Sequence, residues 1–240
     1  TKGKLEVSEI ISADNIHYKN INSIKAYPKY YEHIYNNLYY NNESKLSDKK
    51  EPIGGNGTDK SCLKFLVEDK NIKRRVINHT PFDSKTKYSK ATLDNNITYI
   101  KGAIEKLLPH IKYYINQNGI EKVLLSKKLL TDMTSNLTKK GIRVLALCYT
   151  KDANSIDNLI FIGLVAIKDE LRSEAKEGVS LIRSAGINMI MITGDARDTA
   201  ASIAADVGLL DKEDLVLTSE ELSKLSDEEL KKVVGNLRVV

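Results

Sequence analysis

From Leu159 to Ile167 the chain reads LIFIGLVAI, nine residues without one polar side chain. A run this short, bounded by polar residues, has the length of a strand. Because it lacks in/out alternation, both of its faces must be covered. It is far below the ~20 apolar residues that cross a bilayer. A second run, IRVLALCY from Ile142 to Tyr149, reads as another strand. A chain with such strands needs packed layers around a sheet. Its 240 residues, 41% hydrophobic and 29% charged, are enough for one large domain or two smaller ones.

Beyond Leu159 the pattern alternates. Ala175, Val179, Ile182 and Ala185 recur at helical spacing and Gly186 supplies a stop. Ile187 to Ile192 (INMIMI) reads as a buried strand ending at Thr193-Gly194-Asp195, followed by a helical stripe of Ala200, Ile203, Ala204 and Val207 closed by Gly208. Leu215 to Leu217 is a short strand, and Leu237 to Val240 another. Thr218 with Glu221, and Ser226 with Glu229, are capping-box pairs. Strand–helix alternation of this kind predicts a parallel sheet with crossover helices, beginning at Leu159.

The first 155 or so residues read differently. Tyr31, Ile34, Tyr35 and Leu38 form a tyrosine-rich helical stripe, and a second helix opens near Thr58. Strands are predicted over 75–79, 87–93, 97–101 and 142–149. Helices are predicted on Leu107, Ile111 and Tyr114, and on Leu130, Met133 and Leu137, the latter closed by Gly141. The asparagine- and lysine-rich stretch 39–52 reads as loop. Short successive strands with interspersed helices point to an α+β domain around an antiparallel sheet.

A formal net charge of +5 suits anionic ligands, but the lysines are scattered and form no basic stripe of a nucleic-acid binder. Cys62 and Cys148 lie in apolar contexts and are expected to be buried free thiols of a reducing compartment. His17, His33, His79 and His110 show no metal-ligand spacing, so no metal site is expected. The chain starts without methionine and ends on a strand pattern, so both ends are expected to be cuts within a longer protein.

Thr193-Gly194-Asp195 stands where a strand gives way to a helix, the place where open α/β sheets bind ligands. A hydroxyl and free amides there can hold a phosphoryl oxygen; Asp195 is either a carboxylate behind that ligand or the N-cap of the helix. The segment GGNGTDKS from Gly54 to Ser61 resembles a phosphate-binding loop only superficially, because Asp59 stands where glycine is required. Phe82 offers a stacking face for a base, and Lys87, Lys101 and Arg143 offer charge to phosphates. Arg143 lies in an otherwise apolar strand pattern, where an unpaired guanidinium is costly. The alternative for each is a surface or salt-bridged residue.

Taken in order, these segments resemble the P-type cation-transporting ATPases, nearest to the calcium-pump branch. Thr1 to Val7 (TKGKLEV) is similar to the stretch at the end of the DKTGTLT motif and just beyond it, with Thr1 as the final threonine. Gly55 to Asp59 (GNGTD) is similar to GNPTE, with Asp59 for glutamate and Gly57 for proline. Phe82 to Lys87 matches PF-x-S-x-x-K behind Pro81, and Lys101 to Glu105 is KGAPE with Ile104 for proline. Gly141 to Ala146 matches G-x-R-x-L-A, Lys168 to Arg172 resembles the DPPR segment, and Met191 to Asp195 reproduces MITGD. Seven motifs in family order span nearly the whole chain.

The resemblance implies an antiparallel-sheet nucleotide-binding domain over 10–157. It would be inserted in an incomplete phosphorylation domain, 1–9 and 158–240, with a haloacid-dehalogenase-like parallel sheet. It implies ATP as ligand, with Mg2+ in the parent protein, and the remainder of a membrane pump as partner. Phe82 would stack on adenine, Lys101 and Gly102 would line the pocket, and Arg143 would reach the phosphates and pair with Asp59, with Lys87 at the rim. Thr193 and Gly194 would hold the phosphoryl group, with Asp195, Asp169 and Arg172 facing the nucleotide. The fragment would bind ATP without hydrolysing it, being the cytoplasmic part of a bacterial plasma-membrane protein that moves a cation, calcium in the first place. Two rivals are a soluble haloacid-dehalogenase-type phosphatase, which needs a DxDx(T/V) motif that the chain lacks, and a non-catalytic interaction module.

Overall fold

A computed structural model describes residues 4–66, 69, 71–153, 155–169, 172–194 and 197–240. The chain divides into two compact units. The larger comprises Lys4–Leu137 and Arg143–Lys168; the smaller comprises Thr1–Gly3, Thr138–Ile142 and Asp169–Val240.

In the larger unit, β1 (Leu5–Ser12) and β2 (His17–Tyr18) form a hairpin followed by α1 (Ile21–Lys25) and α2 (Pro28–Tyr40). Pro28 opens α2 at a position whose amide needs no partner. Its expected stripe of Tyr31, Ile34, Tyr35 and Leu38 is buried. A small ribbon, β3 (Lys45–Leu46) with β4 (Pro52–Ile53), leads into α3 (Gly57–Phe65), capped by the Asn56 side chain, which accepts from Asp59 N at 2.9 Å. Then come β5 (Val76–Thr80), β6 (Tyr88–Leu93), β7 (Thr98–Gly102), α4 (Ile104–Leu107), β8 (Ile111–Ile115), β9 (Glu121–Val123), α5 (Lys128–Thr138), β10 (Arg143–Thr150) and β11 (Leu159–Asp169).

Apart from β3 and β4, these strands build one nine-stranded sheet whose main path is β2-β1-β11-β10-β7-β6-β5, with β8 and β9 attached through β11. The run Leu159–Ile167 is wholly buried, as its composition demands. Its neighbours differ from the expectation. β11 runs antiparallel to β10, with Val144 opposite Ala166, and parallel to β8. It therefore joins the predominantly antiparallel sheet instead of opening a separate parallel one. An unbroken apolar run reports that both faces are covered; it carries no information on the direction of the strands beside it.

A second correction concerns Leu107, Ile111 and Tyr114. One helical turn ends in a 3-10 turn over Leu108–His110, and β8 comes next. Pro109 cannot continue the hydrogen-bond ladder, and the sequence IKYYI favours a strand.

Helix α2 is fastened to the sheet by polar side chains. Asn37 Nδ2 donates to the carbonyls of Ile100 and Cys148, each at 3.0 Å, bridging β7 and β10, and Tyr30 Oη donates to Ile162 O at 2.8 Å. Burial without such partners would cost about 1–3 kcal/mol per group. Cys62 and Cys148 are buried free thiols.

The smaller unit contains α6 (Ser173–Ser184), α7 (Arg197–Asp206), β12 (Leu215–Val216), α8 (Ser219–Ser223), α9 (Asp227–Val233) and β13 (Leu237–Val239). Both capping boxes form. β12 and β13 pair in parallel. The strand expected over 187–192 is reduced to one bridge, Met191 with Val239, although Met191 N, Thr193 N and Val240 N all donate along this edge. Ile187, Ile190 and Ile192 remain exposed, because among the described residues only the 238–240 side pairs with this segment.

Candidate functional site

The larger unit holds a cavity of about 410 Å³, within the roughly 300–1,000 Å³ of small-molecule sites. Its floor comes from alternate residues of adjacent strands. Lys101 on β7 stands opposite Ser89 on β6 and Leu147 on β10, and Leu145 and Arg143 continue the same face along β10. Ser89, Lys101, Leu145 and Arg143 line the cavity, with Leu5 of β1 beside them. The first turn of α3 (Gly57, Thr58, Asp59) and its cap Asn56 form one wall, and Phe82, 49% exposed, forms the lip.

At the floor Lys101 Nζ donates to Asp59 Oδ1 at 2.6 Å and to Asn41 O at 2.9 Å, and the two charged side chains are 5% and 7% exposed. Asn41 is the C-cap of α2, so the negative end of that helix also faces the ammonium. Asp59 Oδ2 accepts from Glu43 N at 3.2 Å and from Asn56 Nδ2 at 3.3 Å. Buried charges demand this degree of pairing. Cys62 lies near the pair, and burial raises its thiol pKa.

Arg143 does not pair with Asp59. Its Nη1 donates to Thr58 Oγ1 at 3.2 Å. Thr58 and Asp59 are successive helical residues and point about 100° apart; Asp59 turns inward to Lys101 while Thr58 stays at the mouth. Nor is Arg143 a guanidinium inside an apolar strand: it is the first residue of β10 and exposed, so its charge stays hydrated.

Asp59, Phe82, Lys101 and Arg143, distant in sequence, thus share one cavity. Lys87 does not line it. Its Nζ donates to Glu105 Oε1 at 3.2 Å, and its backbone has φ +60°. Lys87 N donates to Asp83 O, while Asp83 Oδ1 accepts from Lys85 N and Thr86 N, closing a tight loop behind Phe82. These amide bonds hold the Asp83 carboxyl below its ordinary pKa. Gly102 is not a lining residue either: a Cβ there would sit 2.4 Å from Tyr88 Cβ, so glycine permits close strand contact next to Lys101.

Thr193, Gly194, Asp169 and Arg172 belong to the smaller unit. Asp195 lies outside the described residues. Among the described residues no three His, Cys, Asp or Glu side chains gather as a metal site. Sequence reasoning passed over Leu5, Ser89 and Leu145 as lining residues and Asn41 as a ligand of Lys101. Asn41 carries no signal at all, since its backbone carbonyl makes the contact.

A family model for the cytoplasmic domain N of P-type ATPases matches residues 31–174, a range that spans Asp59, Phe82, Lys101 and Arg143. The chain belongs to the P-type ATPases. Among its relatives in this family are calcium-transporting ATPase 1 of Bacillus cereus, 32% identical over 85% of this chain, and the calcium-transporting ATPase lmo0841 of Listeria monocytogenes, 30% identical over 82%. Calcium-transporting ATPase 1 of Saccharomyces cerevisiae is 28% identical over 82%. The chain covers 24%, 24% and 23% of these three P-type ATPases, about a quarter of their length. The matched range takes in β5 to β11 of the sheet and leaves out β1 and β2.

Proposed function

We propose that the larger unit is the ATP-binding lobe of a P-type calcium pump. The observation that carries this reading is the buried Lys101–Asp59 pair flooring a cavity whose mouth holds Phe82 and Arg143. A base stacked on Phe82 gains about 1–3 kcal/mol. Among the described residues Arg143 is tied by one donor to the neutral Thr58 hydroxyl, which leaves other N–H groups for phosphate oxygens. The lobe in this reading runs over 4–137 and 143–168, wider than 10–157.

The smaller unit is read as part of a phosphorylation domain of haloacid-dehalogenase type, in which Thr193, Gly194 and Asp195 face the transferred phosphoryl group and Asp169 and Arg172 lie on the nucleotide side. The whole pump would pass the phosphoryl group to an aspartate and couple its hydrolysis to calcium movement. Calcium is supported by the names of the relatives. Mg2+ would belong to the triphosphate and to the rest of the pump. Among the described residues no helix is long and apolar enough to cross a membrane, so the membrane part of the pump would be a partner to this piece.

Titration of the chain with ATP in the absence of Mg2+, monitored by NMR, tests the reading. Amide shifts should concentrate at Thr58, Phe82, Lys101 and Arg143. A folded sample with shifts elsewhere, or none, sinks it.

A further inference from the structure

We propose that Asp83 is a positioning residue for the stacking face at the lip of the cavity. Its side chain shapes the turn that presents Phe82, and a nucleotide is held more weakly when that shape is lost. The inference rests on the proposal that this cavity takes a nucleotide; Asp83 itself stands outside the lining.

Phe82 lines the cavity yet is 49% exposed, so packing alone does not fix the angle of its ring. The backbone has to do so, and from Pro81 to Lys87 the backbone has left the sheet. Its two ends are anchored. Thr80 still pairs with Lys90 of β6, while Tyr88 pairs with Gly102 of β7 and Ala103 N donates to Lys87 O at 2.9 Å.

Between these anchors Asp83 organises the turn. Its Oδ1 accepts from Lys85 N and Thr86 N, each at 2.9 Å, and its carbonyl accepts from Lys87 N at 2.7 Å. An oxygen that reaches the amides two and three residues on makes an Asx turn, for which aspartate and asparagine have the right length. The amides lower the carboxyl pKa, so it is ionised and accepting at neutral pH. The closed turn also holds Lys87 at φ +60°, a backbone state that costs energy in a residue with a Cβ. Without the Asp83 acceptor the segment therefore has reason to relax, and Phe82 moves with it.

Two variants separate shape from charge. Asp83→Asn keeps the length and the accepting oxygen but loses the charge. Asp83→Glu keeps the charge, and its extra methylene carries the oxygens past the amides. Dissociation constants for ATP without Mg2+ are measured on the full chain by calorimetry. The ring of Phe82 is followed by NMR after phenylalanine labelling; with three phenylalanines in the chain its signals can be assigned.

Asp83→Glu should weaken ATP by about threefold or more, the scale of ordering one side chain on binding. The ATP-induced shift of the Phe82 ring should shrink with it. Asp83→Asn should bind no more than about twofold weaker than the unaltered chain. Should the glutamate variant not fold, Asp83→Ala takes its place, since it removes the acceptor without adding length. A loss of less than threefold, a loss with the Phe82 shift unchanged, or an asparagine variant as weak as the glutamate one overturns the proposal. Absence of ATP binding by the unaltered chain would instead remove the nucleotide reading itself, a result distinguishable from all three.

Discussion

Asp59 reaches Lys101 across 42 positions of sequence and holds it at 2.6 Å, while Arg143, at the same cavity, bonds to Thr58 instead. The two cations are thereby separated in role. Lys101 is locked into the floor, whereas Arg143 stands at the mouth with a hydrogen bond to the neutral Thr58 hydroxyl.

Removing one partner of the locked pair leaves a stranded buried charge. Asp59→Ala is expected to destabilise the larger unit by about 3–5 kcal/mol, as measured by urea denaturation. Conversion of both residues to apolar ones of similar volume should cost less than the single change. Equal losses for the single and double variants would contradict this account.

Arg143→Ala should act on ligand alone. The residue is exposed and its hydrogen bond goes to a neutral hydroxyl, so stability should change by less than about 0.5 kcal/mol. ATP affinity should fall by roughly tenfold, with a weaker dependence on salt. Asp59 contributes nothing to this effect, since Lys101 keeps it paired. A large drop in melting temperature with unaltered affinity would assign Arg143 to structure.

Gly57 occupies the first helical position of α3, behind Asn56 at ψ 172°. Proline is favoured there, and the preceding extended residue is compatible with it. A Cβ would approach Leu5 Cδ1 at 3.4 Å, an ordinary contact. Gly57→Pro is therefore expected to stabilise by about 0.4–1 kcal/mol through the unfolded chain. A lowered denaturation midpoint would show that the backbone at Gly57 is not helical enough to accept it.

His33 stacks on Tyr149 at 4.3 Å and shares a hydrogen bond with Tyr99 Oη. Burial pushes its pKa down to about 4; the nearby Lys151 cation adds to the effect and the carboxylates of Glu32 and Glu121 oppose it. The native state thus binds a proton less readily than the unfolded chain. Stability is at its full value above pH 6.5 and declines as pH falls from there to about 4, by roughly 2–3 kcal/mol. His33→Gln should flatten that part of the profile. Glu121, held below its ordinary pKa by Lys151 and Tyr149, adds its own loss only at lower pH.

Much of the secondary structure was legible in local pattern. The α2 stripe, the two capping boxes, the run Leu159–Ile167 and the strand IRVLALCY all signal themselves through spacing and composition. Asp59, Phe82, Lys101 and Arg143, singled out by their motifs, line one cavity. Asn41 and Leu5 were not legible, because a backbone carbonyl and an ordinary leucine look the same wherever they stand. Lys87 was misleading: it lies in a matching motif, but its left-handed backbone and Glu105 draw its ammonium away from the cavity.

Read alone, the amino-acid order settled which segments are strands or helices at most positions, that β11 must be buried on both faces, and to which family the motif series belongs. Those properties depend on neighbours a few residues apart. Only the tertiary structure decided that β11 lies antiparallel to β10, that Asp59 takes Lys101 rather than Arg143, and that Lys87 is outside the cavity. Such choices depend on distances of a few ångströms between residues far apart in the chain, and local periodicity is blind to them.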